Sequence, residues 1–470
     1  MLSQNRPERF FVLYLPWIFS WFLNAYPQVS YLIAWLGSFF IFLITMTGWV
    51  KPIPGDRSLG EQLMRPLFLT QIIFAGYMCC SSIFYYLDAL GYDNFHLLNH
   101  LFKPEPKKLM LIAECQRYYC LGHAAFVSGT LLFMNYPVKK KYLLQTSYNL
   151  TDLLLYVAVI AIPVSLFFAA VPGLSQFSAQ FNALSFIAAT LALAFAIPQH
   201  KLPNILISGA LFMFNFYKSF LSGYKEPIIV GLLVLGIFLY PLYKRTVILV
   251  FVPLLLVVFM VLPTYNQVFR QNAWSGDLSA EAASKVAFDA ALSNSTEVEG
   301  SNWSFLVFRL SEMDMFVKYV QSTPTYTNFY GMQMVKQSFQ SLIPRAFWPN
   351  KPNTEDMVME RVFNAGIAAK GTNVSAKPAL VADAYLFKGG IGIFLILFFY
   401  GAVIQLIALK AESLFGGYIL GIALVYSGLF QMFWRGLSFE FLFNSVFWSY
   451  ISMLLIARFM FVIRILKKAD

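Results

Sequence analysis

The sequence predicts an all-α integral membrane protein with about 12 transmembrane helices and one large extracytoplasmic loop. Apolar runs of about 20 residues, the length at which a helix crosses a bilayer, recur along the chain. Only 12% of the 470 residues are charged, against about 25% in soluble proteins. The runs are longer than the alternating segments of about 10 residues that form membrane β-barrels. One polar stretch, residues 266–389, interrupts this apolar pattern.

The predicted spans share an apolar composition bounded by polar or charged residues. They lie near residues 10–25, 29–50, 67–91, 109–134, 150–171, 181–198, 205–224, 228–243, 246–265, 390–410, 415–434 and 438–463. Residues 1–265 therefore hold nine helices, 266–389 form the loop, and 390–470 hold three more helices of one continuous membrane domain. The first run lacks a small-residue cleavage site, so a retained span or an interfacial helix is expected rather than a signal peptide.

Lys and Arg in the short loops predict the orientation, because they are enriched on the cytoplasmic side of a membrane. With the N-terminus in the cytoplasm, 15 of these residues lie on the inner side and 5 in the outer short loops. Both termini are thus expected in the cytoplasm and the loop 266–389 outside. The net charge of +11 follows mostly from this asymmetry, with membrane lipids as a secondary partner, and indicates no nucleic acid.

No metal site or other cofactor is predicted. His96 and His100 have i, i+4 spacing in an outer loop, but the sequence offers no obvious third ligand. The four cysteines lie inside predicted spans without metal-site spacing, which favours small buried side chains. The chain also lacks the GxxxxGK[ST] and GxSxG patterns of phosphate-binding loops and of one class of serine hydrolases.

The loop 266–389 is expected to contain amphipathic helices. Residues 279–293 are rich in alanine, and residues 301–321 and 332–343 place apolar side chains at helical spacing. Such helices can lie on a bilayer surface and cover a cavity between spans. The following segment, SLIPRAFWPNKP at 341–352, brackets Arg345 and Lys351 with prolines and aromatic residues, so it is expected to be rigid and cationic.

Charges near or inside the spans are costly and therefore informative. Glu114 and Arg117 lie three residues apart in the fourth span, which favours an internal ion pair. Lys218 and Lys225 are seven apart, so both are expected to point toward the outer surface. Lys225 stands in the turn SGYKEP, which is either a tight outer turn or a site that presents an ammonium group to an anion.

Several cations are expected on the outer face, contributed by distant parts of the chain. They are Lys225, Arg309, Arg345, Lys351, Lys388 and Arg435. Arg435 and Glu440 flank the last outer turn, where a Trp434–Arg435 interfacial anchor is the alternative interpretation. Cations in apolar surroundings suit a lipid-linked diphosphate, whose tail remains in the bilayer while its head projects outward.

The chain resembles the Wzy-like polymerases of O-antigen or oligosaccharide repeat units over roughly residues 205–440. The resemblance rests on SGYKEP, on FRLSEMD at 308–314, on IPRAFWPNKP and on ALVADAYLFKGGIG at 379–392. The Pro-Arg-x-x-Trp-Pro-x-Lys-Pro pattern is its most specific element. Members of the family commonly carry Arg where this chain has Lys225, so the bidentate fork of a guanidinium is missing there.

The resemblance implies a fold similar to the glycosyltransferase C class and an enzyme, a membrane glycosyltransferase. It would transfer a glycan from one undecaprenyl-diphosphate carrier to the next lipid-linked unit without a metal ion. Arg345 and Arg309 would stabilise the diphosphate leaving group, and Lys225 and Arg435 would assist. Binding roles are also expected for Lys351, Trp348 and Glu440. The group that orients the acceptor hydroxyl is left open among Glu312, Asp314, Asp383 and Glu440, with Asp383 favoured.

The expected substrate and partner is a lipid-linked oligosaccharide, with a chain-length regulator and a flippase as further partners in a bacterial inner membrane. A ligase that transfers the glycan to another acceptor would share the donor site. A transporter or flippase of lipid-linked sugars is the main alternative outside enzymes, but such proteins tend to show repeated halves. The sequence shows no such repeat.

Overall fold

A computed structural model describes residues 7–469 except 59, 99–100, 146, 172, 223–225, 274–277, 293–301, 373–375 and 436–437. Helix accounts for 73% of the chain and the described strands have only two or three residues, so the class is all-α. The first ten helices are α1 Pro7–Val12, α2 Leu15–Phe22, α3 Pro27–Met46, α4 Leu69–Ala89, α5 Pro106–Phe133, α6 Leu150–Ala170, α7 Gln176–Ala196, α8 Leu202–Ser222, α9 Glu226–Leu239 and α10 Lys244–Ala273.

The remaining described helices are α11 Ala280–Leu292, the π-helical α12 Leu306–Leu310, α13 Met313–Ser322, α14 Met332–Leu342, α15 Thr354–Asn364, α16 Leu380–Leu414, α17 Ile419–Leu429, α18 Met432–Arg435 and α19 Phe439–Val462. Strand β1 (Tyr92–Asp93) pairs with β2 (His96–Leu97), and β3 (Tyr142–Leu144) pairs with β4 (Leu466–Lys468), both antiparallel.

Seven helices in the described part of the chain are long and apolar enough to cross a membrane. They are α3, α4, α6, α7, α10, α16 and α19. Two further apolar helices, Pro227–Leu239 and Ile419–Leu429, are shorter. These long apolar helices indicate a multi-span membrane protein, and the first predicted span is divided between α1 and α2.

The centre of the bundle is the close pair α5 and α16. A Cβ added at Gly129 of α5 would overlap the backbone of Phe398, and one added at Gly401 of α16 would overlap the carbonyl of Phe126. Small residues at such crossings let two membrane helices approach until their backbones touch. Thr130 donates to the carbonyl of Gly401 at 3.4 Å across the same contact. This pair positions the N-terminal half of the bundle relative to the last helices.

Contacts between loops define two ends of the bundle. At one end, β3 pairs with the C-terminal β4, and Arg65 contacts Glu412 near the end of α16. At the other end, Gly173 lies against the backbone of Arg345 and Ala346. The side of a membrane that each end faces stays a prediction from the positive charges.

We call the described residues between α10 and α16, residues 278–292, 302–372 and 376–379, the cap. The predicted helices at 279–293 and 332–343 are present as α11 and α14. The predicted helix at 301–321 is interrupted at Glu312, whose φ of 53° is left-handed. Helix α15 was not predicted from the sequence. Asn353 precedes its first residue and caps it, because the Asn353 side chain accepts a hydrogen bond from the Glu355 amide.

Helix α16 starts ten residues before the span predicted at 390–410 and is kinked where that span was expected to begin. Lys388 and Gly389 have non-helical backbone angles, and the φ of 60° at Gly389 favours glycine. Two carbonyl groups just before the kink accept hydrogen bonds from backbone amides of the cap. The amides of Tyr330 and Gly331 donate to the carbonyls of Leu386 and Phe387 at 2.9 and 3.2 Å.

Candidate functional site

A buried ion cluster joins the cap to the membrane helices. Arg361 of α15 is 2% exposed, and its guanidinium reaches Asp383 of α16 at 3.4 Å and Glu440 of α19 at 2.5 Å. Both carboxylates are fully buried. Asp383 also accepts a hydrogen bond of 2.8 Å from the amide of Phe439. One cap residue therefore fixes the first turns of two membrane helices.

The charge of Arg361 is maintained inside this cluster. Burial alone would lower the pKa of its guanidinium, but the charges of Asp383 and Glu440 outweigh burial and raise the pKa above its usual value. Removing either carboxylate would leave a buried cation less compensated, which is costly. The cluster is therefore an anchor between cap and helices.

Lys351 closes the segment that carries Arg345 and Trp348. Its ammonium group donates to the carbonyls of Ser341 and Ile343 at 3.1 and 2.8 Å. Burial, and secondarily the charge of Arg345, lowers the pKa of Lys351. The segment is thus a rigid loop on which the Arg345 side chain is exposed.

Arg309 lies at a different place in the cap. It is exposed on the π-helical α12. The neighbouring carboxylates are held by tyrosines of α4, because Tyr77 donates to Glu312 at 3.2 Å and Tyr85 donates to Asp314 at 3.1 Å. The strained backbone of Glu312 is typical of functional positions.

A polar cavity of about 410 Å³ lies between α7, α8, α9 and the segment joining α17 to α19. Such a volume is within the range of small-molecule sites, about 300–1,000 Å³. Its polar side chains are Gln180, Asn182, Asn215, Lys218, Ser219, Gln431 and Ser445. Gln180 is 8% exposed, and its side-chain oxygen has no hydrogen-bond partner among the described residues. Lys218 is exposed and lies 5.6 Å from the centre of the Phe214 ring.

An apolar cavity of about 480 Å³ adjoins the polar one. Pro227 and Gln431 line both cavities, so the two are neighbouring parts of one cleft. The apolar walls come from α4, α9 and α10, and Phe305 and Leu310 of the cap contribute to the lining. We call the two parts the polar half and the apolar half of the cleft. The arrangement fits an amphiphile with a polar head and a long hydrocarbon tail.

The structure brings some of the predicted site residues together. Asp383 and Glu440 meet at Arg361, and Lys351 lies near Arg345. Asp383 is fully buried and ion-paired, so in this conformation it holds the cap and does not face an open site. Glu440 has the same structural role rather than a place in the cleft.

The other predicted residues lie apart from that cluster. Arg309 contacts the α4 side through its helix, whereas Arg345 lies by the corner between α6 and α7. Trp348 is half-buried in the Arg345 loop. Lys225 and the side chain of Arg435 fall outside the described residues. Among the described residues, no group of three or more His, Cys, Asp or Glu side chains is placed to hold a metal ion.

The predicted ion pair between Glu114 and Arg117 is not formed within the described residues. Arg117 instead donates to the hydroxyl of Ser30 at 2.8 Å, and Glu114 accepts from Tyr118 at 3.1 Å. Arg117 therefore takes its partner from the neighbouring helix α3, whereas Glu114 is paired one turn along its own helix.

Two parts of the site were missed from the sequence. No sequence pattern singled out Arg361, because its partners Asp383 and Glu440 are distant in the chain. The polar half of the cleft gave a weak signal, because Asn215, Lys218 and Ser219 share one face of α8 at helical spacing. Gln180 is contributed by a different helix and became recognisable only after α7 and α8 were packed together.

Fold and cleft define an all-helical membrane protein with a polar site beside an apolar one. Comparison with family models shows that the chain belongs to the family described as a domain of unknown function, DUF8712, which matches residues 15–468. No curated protein and no solved structure matches the chain.

Proposed function

We propose that this protein is a membrane glycosyltransferase that polymerises undecaprenyl-diphosphate-linked oligosaccharide repeat units for O-antigen, capsule or exopolysaccharide synthesis. The observation that carries the proposal is the cleft, whose polar half contains Lys218 and whose adjoining apolar half lies between membrane helices. A prenyl diphosphate sugar has this same division into head and tail. The resemblance to Wzy-like polymerases supplies the reaction class.

The polar half suits a sugar diphosphate. Amide side chains of Gln180, Asn182 and Asn215 can donate to and accept from sugar hydroxyls. Lys218 supplies positive charge near the end of the apolar helix α8, and an ionisable residue in apolar surroundings is a candidate functional residue. Lys225 follows a few residues later in the sequence and is proposed to assist.

The apolar half suits the prenyl tail. Its lining includes Ile73, Leu233 and Val258 from the apolar helices α4, α9 and α10. Trp434 also lines it, immediately before Arg435. The tail would thus remain in hydrocarbon while the diphosphate reaches Lys218.

Transfer requires charge stabilisation on the leaving diphosphate and an oriented acceptor hydroxyl. Lys218 is proposed for the diphosphate, with Arg309 and Arg345 drawing the anionic head toward the cap. Glu312 replaces Asp383 as the proposed orienting carboxylate, because it belongs to the cap and accepts a hydrogen bond from Tyr77, a residue of the cleft lining. The anomeric C–O bond to diphosphate breaks, the acceptor oxygen bonds to the anomeric carbon, and its proton passes to the base.

The proposed setting is a bacterial inner membrane with the cap on the outer side and both termini in the cytoplasm. A flippase would deliver the lipid-linked units, and a chain-length regulator would limit the product. The charge asymmetry of the short loops supports this orientation.

The test is reconstitution. Purified protein in nanodiscs is mixed with an undecaprenyl-diphosphate oligosaccharide, and product length is followed by gel electrophoresis and mass spectrometry. Lengthening with release of undecaprenyl diphosphate supports the proposal. Unchanged units, or transfer only to a different acceptor such as lipid A core, would overturn it, and leaflet exchange without lengthening in vesicles would identify a flippase.

A further inference from the structure

A second, separate groove lies on the side of the bundle formed by α1, α2, α5 and α16. It has a volume of about 640 Å³. Its lining is almost entirely apolar and includes Tyr14, Ile391, Phe394 and Leu395, with Lys388 as the charged member. None of these residues lines either half of the cleft.

Lys388 owes its place in the groove to the kink of α16. Its backbone is non-helical, with φ −164° and ψ 44°. The side chain is exposed and makes no ion pair with the described residues. The combination of this ammonium group with an apolar groove therefore suits a molecule that has an anionic group attached to a hydrocarbon chain.

The position of the groove along α16 indicates that lipid chains would surround it. Gly390 lies against Tyr118 of α5, and the ring centres of Phe394 and Tyr14 are 5.9 Å apart, so the groove follows the candidate span α16 from the kink onward. Leu395 and Ile391 are 40% and 60% exposed although α16 is a candidate span. In a membrane, lipid chains cover such side chains.

We propose that this groove binds an anionic phospholipid of the cap-side leaflet, with one acyl chain along the aromatic lining and the phosphate against Lys388. Charge complementarity selects an anionic headgroup over a zwitterionic one, since a lysine near a membrane surface is worth about 1 kcal/mol toward anionic lipid. The proposal is independent of the polymerase assignment, because the groove and the cleft share no residue.

Native mass spectrometry with defined lipids tests the proposal. Wild-type protein is titrated with phosphatidylglycerol and with phosphatidylcholine of the same acyl chains. We expect tighter retention of phosphatidylglycerol, a loss of about fivefold in its affinity in Lys388→Ala, and recovery in Lys388→Arg. Lys370→Ala, which removes an exposed cap lysine, serves as the matched charge control and should bind like wild type.

A second variant tests the acyl chain site. Leu395→Trp fills the groove while leaving the charge, and should lower phosphatidylglycerol retention without altering thermal stability. Equal retention of phosphatidylglycerol by wild type and Lys388→Ala would overturn the proposal. So would displacement of phosphatidylglycerol from the groove by undecaprenyl phosphate, which would reassign it to the substrate tail.

Discussion

Arg361 of the cap donates a 2.5 Å hydrogen bond to Glu440 at the start of α19, although the two residues are 79 positions apart in the chain. The same guanidinium reaches Asp383 in the first turn of α16. A buried charge can be retained only with its partners. The cap is therefore fixed at once to the first turns of the two helices α16 and α19.

The opposite end of α16 has a similar anchor. Arg65, 1% exposed, contacts Asp56 at 2.7 Å and Glu412 at 3.3 Å, and its guanidinium lies 3.7 Å from the centre of the Tyr136 ring. Helix α16 has 35 residues and spans roughly 50 Å at about 1.5 Å per residue. With both ends anchored, the kink at Gly389 is the place where this helix can adjust.

The first prediction concerns the Arg361 anchor. Arg361→Ala should destabilise the folded protein by about 3–5 kcal/mol, because it leaves two buried carboxylates without their cation. Arg345→Ala is the control, since that side chain is exposed and should change stability by less than about 0.5 kcal/mol. Thermal unfolding of both variants in the same nanodiscs measures the difference. Equal melting temperatures would show that the cap does not depend on this cluster.

The second prediction concerns pH at the other anchor. Asp56→Asn should cost about 1.5–3 kcal/mol at neutral pH, the range for hydrogen bonds to charged groups. The hydrogen bond from Arg65 is the main cause that lowers the pKa of Asp56. Its contribution is thus present above the unfolded pKa of about 3.9 and is lost as pH falls through the lower folded pKa.

Urea unfolding at pH 7 and in acid measures this pH dependence, and the penalty of Asp56→Asn should shrink below about pH 4. Asp152→Asn provides the comparison, because its 3.2 Å pair with Lys201 is 40% exposed on the Asp152 side. Such exposed pairs contribute about 0–1 kcal/mol. A penalty for Asp56→Asn that is the same at both pH values would contradict the assigned charge interaction.

Sequence patterns predicted the parts of this protein that depend on composition. The span expected at 150–171 is observed as Leu150–Ala170, and the helix expected at 279–293 as Ala280–Leu292. In both cases the local run of residues decides the outcome, because backbone hydrogen bonds close within the segment itself.

The site was harder to predict because its parts depend on distant pairing. Nothing near Asp383 in the sequence indicates that Arg361 neutralises it. The sequence therefore did not distinguish a buried, ion-paired carboxylate from an accessible catalytic one. The early start of α16 was also missed, because the charged residues Asp383 and Lys388 and the glycines at 389 and 390 interrupt the apolar run before the predicted start at 390. Arg309 lies on the α4 side and Arg345 by the corner between α6 and α7, so the binding of one diphosphate by both residues stays a prediction.

The third prediction tests the packing of the kink. Gly392→Ala should be destabilising by about 1–3 kcal/mol, since its methyl group would overlap the carbonyl oxygen of Ala384. Gly209→Ala in α8 is the matched control, because its Cβ would meet only Leu193 at an ordinary 3.9 Å. Alanine also favours a helix over glycine. Thermal unfolding should therefore separate the two variants, and a wild-type melting temperature for Gly392→Ala would mean that the kink relaxes freely.

The last prediction concerns Lys218 in the polar half of the cleft. If its ammonium group stabilises the leaving diphosphate, Lys218→Ala should lower the rate of glycan lengthening by about 10²-fold or more. Lys218→Arg keeps the charge and should retain a substantial part of the rate. Lys285→Ala, on the exposed face of α11, controls for the loss of one cation from the outer side.

Rates are measured with the reconstituted protein alongside thermal unfolding, because a purely structural Lys218 would change the melting temperature and leave the rate per folded molecule unaltered. Wild-type lengthening by a folded Lys218→Ala protein would exclude Lys218 from the reaction and require the diphosphate to bind elsewhere.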